Sequence, residues 1–294
     1  MVTVFAGKAA MVIDVAARHA LEGGPIHDLT IRCIAAMRLS GLSRVVDSSN
    51  RIRRLFPADM DPIEPELLSN GFAFRPGAAI QRWLGPGWTG CDQFAASWNA
   101  LGEDRHMADG GRYRRRRYAV FDVTRDGILR APHQPHFQAK TYNRLNGGLE
   151  RWFDPVMPEI GEHPILRTLI ERLTSIFASL PNAKNSSADW HVESHQFRIE
   201  ASADAVGLPT PEGTHRDGVD GAFVMLINRE NVSSGITHVS DANGRSLGQF
   251  TLSQAGDAVF LDDKRVFHGV TPIEPLDPRK LAVRDVLVIT FTRA

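Results

Sequence analysis

Cysteine is nearly missing: Cys33 and Cys91 are the only two in 294 residues. Two cysteines cannot build a disulfide framework, and they point to a reducing compartment. An excess of either charge is also missing. Lys+Arg total 34 and Asp+Glu total 34, so the formal net charge is zero. That balance argues against bulk electrostatic binding to nucleic acid or to a membrane surface. No apolar run reaches membrane-spanning length; the N-terminal apolar stretches are interrupted by Lys8, Asp14, Arg18 and His19. No signal peptide is evident, and a cytoplasmic location is expected by default. No fixed-period repeat or low-complexity tract stands out.

What is present is an ordinary globular composition, 43% hydrophobic and 23% charged. A chain of this length can bury a substantial core. The first part reads as helical, over 9–21 and 26–39, with Gly23 and Gly24 between the two. Residues 57–65 carry three prolines and read as a linker. The expected organisation is an N-terminal helical extension over 1–62 and a second domain over 63–294. In that domain the clearest helix is 163–180, where Ile165, Leu166, Leu169, Ile170, Leu173, Ile176 and Phe177 recur at helical spacing and Pro181 stops the run. Short β runs are expected at 118–123, 195–201, 222–228, 236–240, 248–252, 258–261, 266–270 and 285–292. So many short strands suggest a sandwich or jelly roll, here in an α+β class with helices buttressing the β core.

One constellation carries chemistry. His215-Arg216-Asp217 places two potential ligands one residue apart, which on an extended strand share a face. His268 follows on the later strand, with Val266 and Val270 on its face and Phe267 turned to the other, expected in the core. Two histidines and one carboxylate on one side of a metal leave adjacent positions open, the donor set of non-heme Fe(II) oxygenases. Gly269 permits close backbone approach beside it. Alone, a His-x-Asp pair is weak, since such triplets arise by chance in turns. Arg284 strengthens it. It opens the last strand, where Arg284, Val286, Val288 and Thr290 alternate onto one face. An arginine followed by small β-branched residues and a threonine suits a carboxylate pocket. Arg279 competes for that role but lies in a turn, Asp277-Pro278-Arg279-Lys280.

In order along the chain stand His195-Gln196-Phe197-Arg198, His215-Arg216-Asp217, Met225-Leu226-Ile227-Asn228-Arg229, Val266-Phe267-His268-Gly269-Val270-Thr271-Pro272 and the Arg284 strand. This series resembles the bacterial Fe(II)/2-oxoglutarate dioxygenases typified by L-isoleucine 4-hydroxylase. Tyr142-Asn143 and Arg151-Trp152-Phe153 are similar more loosely. The resemblance runs from about Gly71 to the C-terminus and implies a double-stranded β-helix, a cupin-like jelly roll with helices on its outer face. It implies that His215, Asp217 and His268 bind Fe(II), and that Arg284 binds the distal carboxylate of 2-oxoglutarate, with O2 as co-reactant. Thr290 and Gln196 are expected to help hold the cosubstrate. The implied activity is hydroxylation of a small molecule, a free amino acid or close derivative, with Arg116, Asn143 and Arg198 as candidate substrate contacts. Gln196 and Arg198 are expected to face the barrel interior. The first sixty or so residues depart from the shorter family pattern, and are expected to cover the site, support a homodimer or carry specificity. The loop Asp217-Gly218-Val219-Asp220 is less acidic than the family pattern, which bears on substrate rather than metal.

Rival readings are a different substrate on the same scaffold (a peptide, nucleobase or natural-product intermediate), a non-catalytic cupin-like binding module, and a nucleic-acid binder. The last rests on Arg112-Tyr113-Arg114-Arg115-Arg116-Arg117-Tyr118. Neutral net charge and the strand-like 118–122 favour an amphipathic strand there instead, with Arg114, Arg116 or Tyr118 reaching a substrate carboxylate. His133 and His136 flank Gln134-Pro135, whose proline makes a rigid loop rather than a second metal site. His195 is expected to pack near the cofactor pocket. Trp83 and Trp88 are expected in a packed loop.

Overall fold

The computed structural model describes residues 62–181 and 189–294, and two short strands before them. The chain divides into two units, Met1–Asp61 and Pro62–Ala294. In the first, Arg44–Val46 pairs antiparallel with Ile52–Arg54. The helices expected over 9–21 and 26–39, and Cys33, lie outside the described residues.

The second unit opens with helix α1 (Ile63–Asn70), so the expected linker ends earlier than 65. Pro65 falls within the first turn, where its missing N–H would be unpaired in any case. Strand β1 (Phe72–Arg75) and helix α2 (Gly77–Leu84) follow. Trp83 therefore stands on a helix rather than in a loop. Next come β2 (Arg114–Thr124), helix α3 (Pro164–Ala178), β3 (Trp190–Ala201) and β4 (Gly221–Glu230). The chain ends with β5 (Thr237–Ser240), β6 (Ser246–Phe250), β7 (Ala258–Asp262), β8 (Phe267–Val270) and β9 (Ala282–Arg293).

An eight-stranded antiparallel sheet runs β1-β7-β4-β9-β3-β2, then Gly102–Glu103, with Gly127–Arg130 paired on β2. A smaller sheet runs β6-β5-β8. Isolated bridges join Gly207 to Ile273 and His215 to His268, so the β3–β4 connection runs alongside β8. The two sheets share an apolar core that includes Ala222, Val259 and Leu261 from the large sheet and Val239 and Phe250 from the small one. This is the jelly roll of an α+β protein.

Strand alternation sorts the sequence between the two faces of the large sheet. On β9, Leu287, Ile289 and Phe291 turn outward and are buried beneath helices. Phe177 of α3 meets Phe291 with ring centroids 5.1 Å apart, and Trp83 of α2 meets Phe260 at 5.7 Å. All seven apolar residues of α3 named above are buried. Each such burial contributes roughly 1.5–3 kcal/mol before entropy is charged. On the inward face of β9 stand Arg284, Val286, Val288 and Thr290, and these line a cavity between the sheets.

Candidate metal centre

The site is assembled by the β8 edge. His268 N donates to His215 O and His215 N donates to His268 O, both at 2.9 Å. That reciprocal pair sets the two imidazoles side by side, with centroids 4.6 Å apart. The chains approach closely because position 269 is glycine: a Cβ there would stand 3.2 Å from Thr214. Asp217 returns its carboxylate between the rings, Oδ1 3.5 Å from His215 Nε2 and Oδ2 3.7 Å from His268 Nε2. One ligand atom from each residue lies within 4.8 Å of the others, a separation a single ion can bridge. His215 Nδ1 lies 3.0 Å from Gly213 O, which leaves Nε2 for a metal.

Electrostatics favour a cation here. Burial opposes ionisation of Asp217, but the hydrogen bond from His215 and the nearby imidazoles hold its carboxyl well below the usual range. Burial likewise opposes a charged His215, yet Asp217 and Glu212 push it up to about 9. Burial and the His215 charge bring His268 down to about 4. One proton is thus already held in the triad, at a place where a divalent ion would replace it.

Asp263, which no sequence signal singled out, holds the ligand loop. Its carboxylate accepts from the backbone N–H of Asp217 at 3.0 Å, Gly218 at 2.8 Å and Val219 at 3.1 Å. Burial and the Asp217 charge raise it to about 7. Gly218 sits at φ +86, and a Cβ there would collide with the Tyr142 ring at 2.5 Å. Phe267 is half-buried rather than core, with the Arg216 guanidinium 4.8 Å above its ring.

The ligands open onto a cavity of about 460 Å³. Arg284 lines it, 2% exposed, with Nε and Nη2 buried and without a hydrogen-bond partner. Burial and the charge of Arg229 lower its pKa to about 10. Thr290 Oγ1, on the same face, is also buried and unpartnered. A buried cation without a counter-ion is costly. A carboxylate bound by Arg284 and Thr290 would remove that cost, so the residues present fit a dicarboxylic cosubstrate. Arg279 instead pairs with Asp277 at 3.0 Å in an exposed turn and does not compete.

Gln196 and Arg198 do not face the cavity. Strand β3 begins at Trp190, ahead of the expected 195, and its alternation sends His191, Glu193, His195, Phe197 and Ile199 inward. Gln196 Nε2 donates to Ser97 Oγ at 2.8 Å on the outer side. Arg198 clasps Asp285 there with two hydrogen bonds of 2.7 and 2.8 Å. The strand's start is not legible in the sequence, because its inward face is polar, as a cavity wall requires, and polar residues read as loop. Asn143 does line the cavity, but its amide is engaged: Nδ2 donates to Gln138 and Oδ1 accepts from Asn146 N. Gln138 in turn donates to Asp217 O at 3.1 Å, so Asn143 positions the metal loop.

From Arg114 onward the arginine run lies inside β2. Arg114 and Arg116 line the cavity while Arg115 pairs outside with Glu200. Arg116 is stacked between Phe153, 3.5 Å from its ring centroid, and Phe197, at 4.5 Å. Its Nη2 donates to His195 Nδ1 at 2.8 Å. His195 Nε2 lies 3.5 Å from Glu193, which also accepts from Tyr118 OH at 2.6 Å and is 3.3 Å from His136 Nδ1. His136, Glu193 and His195 are close enough to hold a second ion. The Arg116 contact argues otherwise. A metal on His195 Nε2 would put the ring proton on Nδ1, facing a donor. The cluster is a closed hydrogen-bond network forming one wall.

Residues 95–290 match the family model described as 2OG-Fe dioxygenase. The L-isoleucine-4-hydroxylase of Bacillus thuringiensis is 27% identical over 176 residues, which is 60% of this chain and 72% of that protein. The 3(1)-hydroxy-L-isoleucine 4-dioxygenase of Pantoea ananatis (strain AJ13355) is 26% identical over 164 residues, 54% of this chain and 64% of that one. Among solved structures, a bsmA homologue from Methylobium petroleophilum PM1 superposes with a TM-score of 0.70 at 38% identity, covering 78% of this chain and 91% of that one.

Proposed function

The chain belongs to the 2OG-Fe dioxygenase family, and from that premise we propose that it hydroxylates an unactivated C–H bond of a free L-amino acid or close derivative. In this reading His215, Asp217 and His268 hold the iron, and Arg284 with Thr290 anchors the distal carboxylate of 2-oxoglutarate. The domain over 63–294 carries the activity. Fe(II), 2-oxoglutarate and O2 supply the oxidising chemistry, which converts one C–H bond to C–OH with release of succinate and CO2. The chain's own residues bind, orient and shield. The Gly213 carbonyl orients His215, Asp263 fixes the loop that carries Asp217, and Val286 and Val288 give the cosubstrate channel an apolar floor.

The observation that carries this reading is the unpaired Arg284 guanidinium in the same cavity as the three converging ligands. A binding module without catalysis has no use for a buried, uncompensated arginine beside a metal triad. The amino-acid substrate is supported by the two curated relatives, both named for isoleucine or its hydroxylated form. The test is succinate formation from 2-oxoglutarate with Fe(II), ascorbate and a panel of free L-amino acids. Wild type should respond to at least one amino acid. His215→Ala should stay folded by circular dichroism and lose turnover; a folded variant with near-wild-type activity would refute the metal assignment.

A further inference from the structure

Arg284 is not the only buried arginine in the cavity that lacks a carboxylate. Arg151 lines it too, 3% exposed, on the short strand Glu150–Arg151 that pairs with His136–Phe137. Among the described residues no hydrogen bond or ion pair reaches its guanidinium; its Nε is buried without a partner, and the nearest ring, Phe153, is 5.7 Å away. Beside it on β2, Arg114 gives Nε to Asp104 at 2.7 Å but leaves Nη2 buried and unpartnered. Burial lowers the Arg151 pKa, and the charge of Arg114 lowers it further. Glu212 also lines the cavity. One of its carboxylate oxygens is 3.5 Å from His215 Nε2, and the other is buried with no hydrogen bond. The charges of Asp104, Glu212 and Glu193 act on Arg151 without forming an ion pair with it. Glu193, the other acid of this wall, is already satisfied by Tyr118, His136 and His195.

A buried arginine with no ion pair, facing a carboxylate that keeps one buried oxygen free, is expensive unless a ligand engages both. One dicarboxylic cosubstrate cannot do so. Its distal carboxylate goes to Arg284, which stands on β9, whereas Arg151 stands on the strand Glu150–Arg151 beside Arg114 of β2. A second, zwitterionic ligand can. We propose that Arg151, assisted by Arg114, binds the α-carboxylate of the amino-acid substrate and that Glu212 accepts its α-ammonium. This rests on the amino-acid reading above and adds the residues that would enforce it. It also moves the carboxylate anchor away from Arg116, which is committed to His195 and to two aromatic rings.

The test uses the full chain with Fe(II) and 2-oxoglutarate. Its probes are the amino acid that stimulates succinate release most, its α-amide, and its des-amino acid. Wild type should prefer the free acid over the amide. Arg151→Gln should raise KM for the amino acid by about 100-fold, the usual scale for a buried charge-assisted pair, with the loss falling on that KM rather than on the KM for 2-oxoglutarate. The same variant should no longer discriminate acid from amide, and Glu212→Gln should no longer discriminate amine from des-amino compound. Arg151→Met, measured without ligands, should melt no lower than wild type, because an uncompensated charge has been removed. An Arg151→Gln enzyme that keeps both KM and acid preference overturns the proposal and leaves the amino-acid reading standing. A destabilised Arg151→Met overturns it too, by giving Arg151 a structural role. A wild type that responds to no free amino acid overturns the amino-acid reading and this proposal together.

Discussion

Asp263 shows how one residue can govern a site without touching the reacting atoms. Its carboxylate takes three consecutive backbone N–H groups, those of Asp217, Gly218 and Val219. Asp263→Ala removes all three hydrogen bonds while leaving every ligand in place. Iron affinity should fall by roughly 10–100-fold, the usual cost of losing a group that orients a ligand. Titration of Fe(II) into apo-protein, followed by competition with a chelator, measures it; unchanged affinity would mean the loop holds itself. Nothing in the local pattern Leu261-Asp262-Asp263-Lys264 announces this role. That His215, Asp217, His268 and Arg284 line one cavity was legible, because their residue types and spacing match a known chemistry. The surroundings of Asp263, Glu212 and Arg151 were not, because their partners are distant in the chain.

At the scale of elements, helix α3 was legible in full outline, and strand β9 in its alternation, though it begins at Ala282 rather than at Arg284. Both carry an apolar face with a clear period, and each is buried along that face. Strand β3 was half legible. Its polar inward side chains broke the apolar rule that a core strand obeys, and with the register lost, Gln196 and Arg198 were assigned to the wrong face. A slip of one residue inverts every side chain of a strand. The separation between scaffold and site is testable here. Leu169, on the apolar face of α3, is wholly buried and lines no part of the cavity. Leu169→Ala should cost about 2–5 kcal/mol of stability in urea denaturation, while KM for 2-oxoglutarate stays within error of wild type. A large change in that KM would couple the helix to the site.

For the molecule as a whole, the buried network around Glu193 makes stability depend on pH. Burial, with the charges of Arg116 and His136, lowers His195 from 6.5 to about 4 against the pull of Glu193. A histidine with a depressed folded pKa carries no penalty above 6.5, where both states are neutral. As pH falls from 6.5 toward 4 the unfolded chain takes up a proton that the folded chain refuses, so stability drops. Burial opposes ionisation of Glu193, but hydrogen bonds from the histidines hold its pKa well below 4.5, so its stabilisation is lost at still lower pH. His191, raised by its hydrogen bond to Glu193, works in the opposite direction. The difference in melting temperature between wild type and His195→Gln should therefore change between pH 6.5 and 4 and flatten above 6.5. A difference that stays constant across that window would show that His195 is not held neutral.

The sequence by itself determined which atoms are available: two imidazoles and a carboxylate in a ligand-like pattern, an arginine in phase with the small residues of an alternating strand, and an apolar helix to cover a sheet. These are local properties, set by residue type and by periods of two and 3.6. Tertiary structure decided which polar groups go unpaired. Arg198 and Arg151 both stand beside an aromatic residue in sequence, Phe197 and Trp152, and neither neighbourhood says whether the guanidinium is paired. The fold gives Arg198 an aspartate from β9 and, among the described residues, pairs Arg151 with none. Whether a charge is satisfied depends on residues brought beside it from distant parts of the chain, and in a buried cavity that is what separates scaffold from binding site.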